Sequence, residues 1–176
     1  MPNESTPDRS HILVSAGSKH GSTTEIAERI ATVLSDRGHD VDITAPDQVR
    51  DLSGYQVVVL GSAVYAGHWV ASAKGLAERI AALSESPATW IFSSGPLGEP
   101  PKPEEDPVDV APIIEATSAR DHRVFSGKID KSKLSFGERA IVVAVRAPEG
   151  DFRNWNEIES WANEIADRLV NEVSRP

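Results

Sequence analysis

The sequence predicts an α/β domain in three layers, with a five-stranded parallel sheet of order 2-1-3-4-5 and helices on both faces. Three observations carry this. Short apolar runs at residues 11–15, 57–61 and 90–93 read as buried strands. Segments with helical periodicity separate them, and strands alternating with helices close into right-handed crossovers and a parallel sheet. The first run also leads straight through a loop of small and hydroxyl-bearing residues, Gly17-Ser18-Lys19-His20-Gly21-Ser22-Thr23, into a helix.

The elements follow in order. Residues 1–9 carry Pro2 and Pro7 among polar residues and are expected to form a flexible tail outside a single domain spanning 10–173. A helix is predicted over 22–37, with Ser22 as N-cap, Glu25 as its capping-box partner and Gly38 as its stop. Residues 41–45 alternate with polar neighbours, as in an edge strand. Val70, Ala73, Leu76, Ala77, Ile80 and Ala81 give a second helix over 70–83. Residues 96–112, rich in proline and acid, read as a long exposed loop. Residues 123–129 form the expected fifth strand. The run within 138–146 is strand-like by composition, but its place before the last helix favours a short helix. That last helix spans 155–173, with Asn154 as cap and a buried stripe of Ile158, Trp161, Ala162, Ile165, Ala166, Leu169 and Val173.

Composition narrows the function classes. At 176 residues the chain holds one domain with a sizeable core. It contains no cysteine, which excludes disulfides, thiolate nucleophiles and Cys-ligated clusters. His11, His39 and His122 lack metal-ligand spacing, so no metal is expected. The net charge of −9 argues against nucleic acid as a partner. No apolar run is long enough for a transmembrane segment, and the start of the chain does not read as a secretory signal, so a cytoplasmic protein is expected.

The loop after the first strand is an anion site in outline. The first N–H groups of a helix have no partner within it, and the helix dipole adds positive potential there. Three familiar phosphate sites are excluded. Gly17 and Gly21 lie too close for a P-loop, and Ser22 stands where its lysine belongs. A dinucleotide fingerprint lacks its third glycine, at Thr24. A phosphoryl-accepting receiver would need acids where this chain has Ser15, Ala16, Gly61 and Ser62. A mononucleotide remains.

Ser18-Lys19-His20-Gly21-Ser22-Thr23 resembles the phosphate-binding loop of flavodoxins. Gly61-Ser62-Ala63-Val64-Tyr65-Ala66-Gly67-His68-Trp69 and Phe92-Ser93-Ser94-Gly95-Pro96-Leu97-Gly98 fall where flavodoxins carry their second and third flavin loops. The form Ser18-Lys19-x-Gly21-x-Thr23, with Tyr65-x-Gly67-His68, is similar to that of flavodoxin-domain proteins related to menaquinone-dependent protoporphyrinogen dehydrogenase. The segment 147–155 also recurs in that wider group.

This resemblance implies a flavodoxin-like fold and FMN as cofactor. It implies that Ser18, Lys19, His20, Gly21, Ser22 and Thr23 hold the phosphate. Lys19 would add charge or point to solvent, and His20 would donate from its ring or offer only its amide. Ala63, Val64, Tyr65, Ala66 and Gly67 would line the ring, with Tyr65 stacked on it. Ser94, Gly95, Pro96 and Leu97 would meet the flavin edge, and His68 is the catalytic candidate, as proton donor or charge partner. The third loop lacks the tyrosine that many flavodoxins place on the outer flavin face. The function implied is an oxidoreductase passing electrons between a donor and a quinone or porphyrinogen-like substrate. The alternatives are a flavodoxin-type electron carrier with a partner protein, or a degenerate module without flavin. Oligomeric state stays open, a homodimer included.

Overall fold

The computed structural model describes residues 9–95, 106–144 and 149–173. β1 (His11–Gly17), β2 (Asp40–Ile43), β3 (Val57–Tyr65), β5 (Ala88–Ser94) and β6 (His122–Phe125) form a parallel sheet of order β2-β1-β3-β5-β6. This is the expected 2-1-3-4-5 order. A short β4 (His68–Trp69) folds back antiparallel on the end of β3, pairing Val64 with Trp69 and Tyr65 with His68. Parallel register sets Gly17 opposite Ser62 and Ser62 opposite Ser93, so β1 and β5 end within a residue of one level while β3 runs on to Tyr65.

Alternate strand residues face opposite sides. Ile12, Val14, Val57, Val59, Trp90 and Phe92 point to one face, where α1 (Ser22–Asp36) and α5 (Trp155–Val173) cover them. Leu13, Val58, Leu60 and Ile91 point to the other, beneath α2 (Ala71–Ala81) and α3 (Val110–Thr117). The three layers follow from that alternation. Gly61 is required by packing, because a Cβ there would lie 2.0 Å from Phe92 Cζ. α1 ends as expected at Gly38, in the left-handed region at φ 94°. Its amide donates to Ser35 O, and the His39 amide donates to Leu34 O. At α5 the Asn154 side chain accepts the Glu157 amide at 3.2 Å.

Four local expectations are corrected. The N-cap of α1 is Gly21 (φ 87°), and no side-chain hydrogen bond caps the helix; Ser22 is already helical. Glu25 instead pairs with Arg153. The proline-rich segment does not remain loop to residue 112. α3 starts at Val110, since Pro112 falls in the first helical turn, where its missing N–H costs nothing. The run 123–129 is not one strand. β6 ends at Phe125, and after Ser126 and Gly127 the chain forms β7 (Lys128–Ile129), antiparallel to β8 (Gly150–Asp151). The edge strand is Asp40–Ile43 rather than 41–45. Between β7 and β8 lies α4 (Phe136–Ala144), the short helix favoured by its position in the chain. Residues 1–8, Pro96, Leu97, Glu104 and Glu105 lie outside the described residues. Arg9, expected in the tail, has Nη2 3.5 Å from Asp40 Oδ1.

Candidate functional site

The carboxyl ends of β1, β3 and β5 open into a cavity of about 350 Å³. Each contributes a loop, because a parallel strand must hand the chain to its crossover at that end. From β1 come Ser18, Lys19, His20, Ser22 and Thr23. From β3 come Ala63, Val64, Tyr65 and Ala66, and from β5 come Ser94 and Gly95. Gly21 shapes the first loop from behind: its amide donates to Ser18 Oγ at 3.0 Å, and its positive φ turns the chain into α1. Thr23 is buried at the start of that helix. No side chain caps α1, so the first-turn amides have no partner within the helix, and Ser22 and Thr23 of that turn line the cavity.

The second loop turns through Ala66 (φ 49°) and Gly67 (φ 79°). It is held from behind, where the Val108 amide donates to Gly67 O at 2.9 Å and the Trp69 amide donates to Asp109 Oδ2 at 2.9 Å. Trp69 Nε1 donates to Ser93 Oγ, which also lies 2.9 Å from His122 Nε2, so one buried chain of polar groups ties β4, β5 and β6 together. Burial holds the His122 imidazole below its usual pKa, against the opposing charges of Asp106 and Asp121.

His68 is placed away from the cavity wall. Its Nδ1 lies 3.2 Å from Asp109 Oδ2, and half of its side chain is exposed. Burial pushes the Asp109 carboxyl up, but the Trp69 amide, His68 and Lys74 together bring it below its ordinary value. Gly67 likewise shapes its turn without lining the cavity. Of the predicted residues in the described part of the chain, the remaining twelve meet at this one cavity or, for Gly21, directly behind it.

Sequence reasoning missed the opposite wall. Gly127, Lys128, Ile129 and Asp130 close one side, and Lys133, Leu134, Glu138, Ile141 and Val142 bring the insert across the opening. Gly127 allows a close approach, since a Cβ there would lie 3.3 Å from the Gly95 amide nitrogen. Lys19 Nζ donates to Glu138 Oε1 at 2.9 Å, and His20 Nε2 lies 3.3 Å from the same oxygen. The lysine ammonium also sits over the Tyr65 ring, 4.8 Å from its centroid. Burial, and then the Glu138 charge, push the Tyr65 phenol up to about 12. The Ser135 amide, Lys19, the Ser135 hydroxyl and His20 hold the Glu138 carboxyl at about 2. The signal that could have found this wall is Ser135-x-x-Glu138, a capping box at the start of α4.

A parallel α/β sheet with an uncapped helix start, hydroxyls around it and an aromatic on the next loop defines a mononucleotide-binding domain of flavodoxin type. A family model described as the flavodoxin domain matches residues 13–155, and the chain belongs to that family. Solved structures agree in fold. A flavodoxin from Streptococcus pneumoniae TIGR4 is 18% identical, with 90% of this chain covering 99% of that one at a TM-score of 0.62. A flavodoxin from the domain Archaea is 15% identical, over 90% of this chain and 98% of that one, at a TM-score of 0.61. The rubredoxin oxygen:oxidoreductase of Desulfovibrio gigas is 15% identical over 94% of this chain, at a TM-score of 0.63, but this chain spans only 37% of its length. No curated protein matches the sequence.

FMN is the cofactor of this family, and the residues present fit it. The uncapped first turn of α1 and the buried Thr23 suit a phosphate ester. Tyr65, Val64, Leu134, Ile141 and Val142 give the rest of the cavity an apolar lining suited to a flat aromatic ring. Among the described residues no group of three or more His, Asp or Glu is placed to hold a metal ion. No described helix is long and apolar enough to cross a membrane.

Proposed function

We propose that this chain is an FMN-dependent electron-transfer protein. The observation that carries the reading is the single volume shared by the phosphate loop, Tyr65 and the insert. Ser18, Ser22 and Thr23 would hold the phosphate with hydroxyls and first-turn amides. Tyr65, with Lys19 across one side of its ring, and the aliphatic side chains of α4 would bracket the flavin. When bound, FMN supplies reversible electron transfer, while the protein orients it and excludes water.

The size of the cavity supports the carrier form of this reading over the oxidoreductase form. At about 350 Å³ it lies at the small end of ligand sites and suits one flavin-sized molecule rather than a flavin plus a bound quinone or porphyrinogen. Electrons would then pass to a partner protein at the exposed rim.

Titration of the apoprotein with FMN tests the reading. One equivalent should bind, with quenched flavin fluorescence. Ser18→Ala and Thr23→Val should each weaken FMN about tenfold, as expected for a lost hydrogen bond to a charged group, and leave the far-ultraviolet spectrum unchanged. A protein that refuses FMN at saturating concentration is not a flavoprotein. Saturable turnover with a soluble quinone, rather than simple second-order oxidation, would favour the oxidoreductase form.

A further inference from the structure

Lys19 and His20 of the phosphate loop already have an anion. Glu138 Oε1 takes the Lys19 ammonium at 2.9 Å and lies 3.3 Å from His20 Nε2. Its other oxygen accepts the Ser135 amide at 2.8 Å, while Ser135 Oγ accepts the Glu138 amide at 3.3 Å. This reciprocal cap fixes the carboxylate over the loop, and only 17% of its side chain is exposed. The other charged groups lining the same cavity are Glu25, Lys128, Asp130 and Lys133. A carboxylate of the same sign as a phosphate ester therefore sits on the side chains that a phosphate would draw upon.

The helix that carries Glu138 has little else to hold it. No residue of α4 is buried; Phe136 is 92% exposed, and Ile141 and Val143 also face solvent. Among the described residues, its hold on the phosphate loop is Glu138 itself, since Arg139 bonds only within the insert, to Lys131 O at 2.9 Å. The state of one carboxylate is thus coupled to the position of a cavity wall.

We propose that Glu138 is an internal counter-anion of the phosphate loop, with which a phosphate-bearing flavin competes for Lys19 and His20. Glu138 therefore lowers the preference for phosphorylated over unphosphorylated flavin, and arrival of the phosphate loosens α4 from the loop. The inference rests on the FMN reading above and assigns to the insert a part in cofactor selection. Amides and hydroxyls of residues 18–23 carry the phosphate affinity, and Lys19 and His20 contribute only what Glu138 releases.

The test is Glu138→Gln, titrated as apoprotein with FMN and, separately, with riboflavin. A glutamine oxygen still accepts the Ser135 amide, so the cap and the fold persist. The ratio of FMN to riboflavin affinity should rise about fivefold over that of the native protein, on the scale of a partly exposed ion pair, while any loosening of α4 acts on both flavins alike. Raising ionic strength should shrink that rise. In a Lys19→Met background the same Gln substitution should change the ratio less, because the contested cation is gone. Hydrogen exchange over residues 136–144 of the native protein should be faster with FMN bound than with riboflavin bound. An FMN-to-riboflavin affinity ratio no higher in the Gln variant than in the native protein would overturn the inference while leaving FMN as the cofactor. If native and variant proteins bind neither flavin, the cofactor reading falls, and this inference falls with it.

Discussion

Ser18 and Ala63 hang from strands whose side chains are almost wholly buried, whereas Leu134, Glu138, Ile141 and Val142 on the facing wall belong to an insert whose helix buries nothing. The first wall is fixed by the core. Beneath its strands, Phe92, Phe125 and Trp161 meet edge to face or tilted, with centroids 5.7–6.1 Å apart. The second wall is fixed by charge. Arg153 joins Asp151 in β8 to Glu25 and the Ser22 carbonyl at the start of α1, and Glu138 joins α4 to Lys19 and His20. A phosphate site needs donors that do not move, while a wall over a flavin has to part for entry. Core packing suits the former, and a few ion pairs suit the latter.

The strongest blow to the packed wall is Trp161→Ala. The ring is 1% exposed, and its Nε1 donates to Asp121 Oδ2 at 2.9 Å. Loss of that volume should cost about 3–5 kcal/mol of global stability, read from urea unfolding. FMN affinity of the fraction that stays folded should change little. A loss under about 1 kcal/mol would mean that the core does not rest on this triad of rings as argued.

Arg153→Met should do less to the whole and more to the insert. The side chain is 3% exposed, but the two carboxylates it serves are 40% and 49% exposed, so water can take over their hydration. A loss of about 1–2 kcal/mol is expected, since those carboxylates do not become buried and unpaired. Exchange of backbone amides should accelerate over residues 128–152 and remain slow in β1, β3 and β5. Uniform acceleration would erase the contrast between the two walls.

That contrast also marks what could be read from the sequence. β1, β3 and β5 were legible because a buried parallel strand is an unbroken apolar run, and α5 because its stripe repeats at helical spacing. The phosphate loop was legible because its donors are contiguous in the chain. The helix of the insert was legible from its place in the chain, but its approach to the phosphate loop was not, since Glu138 meets Lys19 and His20 across more than a hundred residues, a pairing no local pattern announces. α3 was hidden by Pro112, which reads as a breaker unless the helix start is known. The pattern Ser22-x-x-Glu25 suggested a capped α1. In the fold Gly21 takes that place, Glu25 serves Arg153, and the first amides are left without a partner within the helix.

The smallest effect on the whole molecule, and the most local, comes from acid. The Ser135 amide, Lys19 and His20 hold the Glu138 carboxyl at about 2, below its ordinary value of 4.5. A carboxyl depressed by folding stabilises above its unfolded pKa and loses that contribution as pH falls through the folded one. The attachment of α4 should therefore be intact at pH 4.5, weaken below it and be lost near pH 2. Phe136, exposed beside Glu138 at the start of α4, offers a cleavage point for pepsin, which works in that window. Cutting there should be slow in the native protein at pH 4, corrected for pepsin's own pH profile, and should quicken toward pH 2. In the Glu138→Gln variant the corrected rate should already be high at pH 4 and nearly flat below it. Native and variant proteins cut at equal rates at pH 4 would show that the carboxylate does not hold this wall. The far-ultraviolet spectrum of the native protein should stay unchanged down to the pH at which cutting begins to quicken, because the sheet does not depend on the insert for its packing.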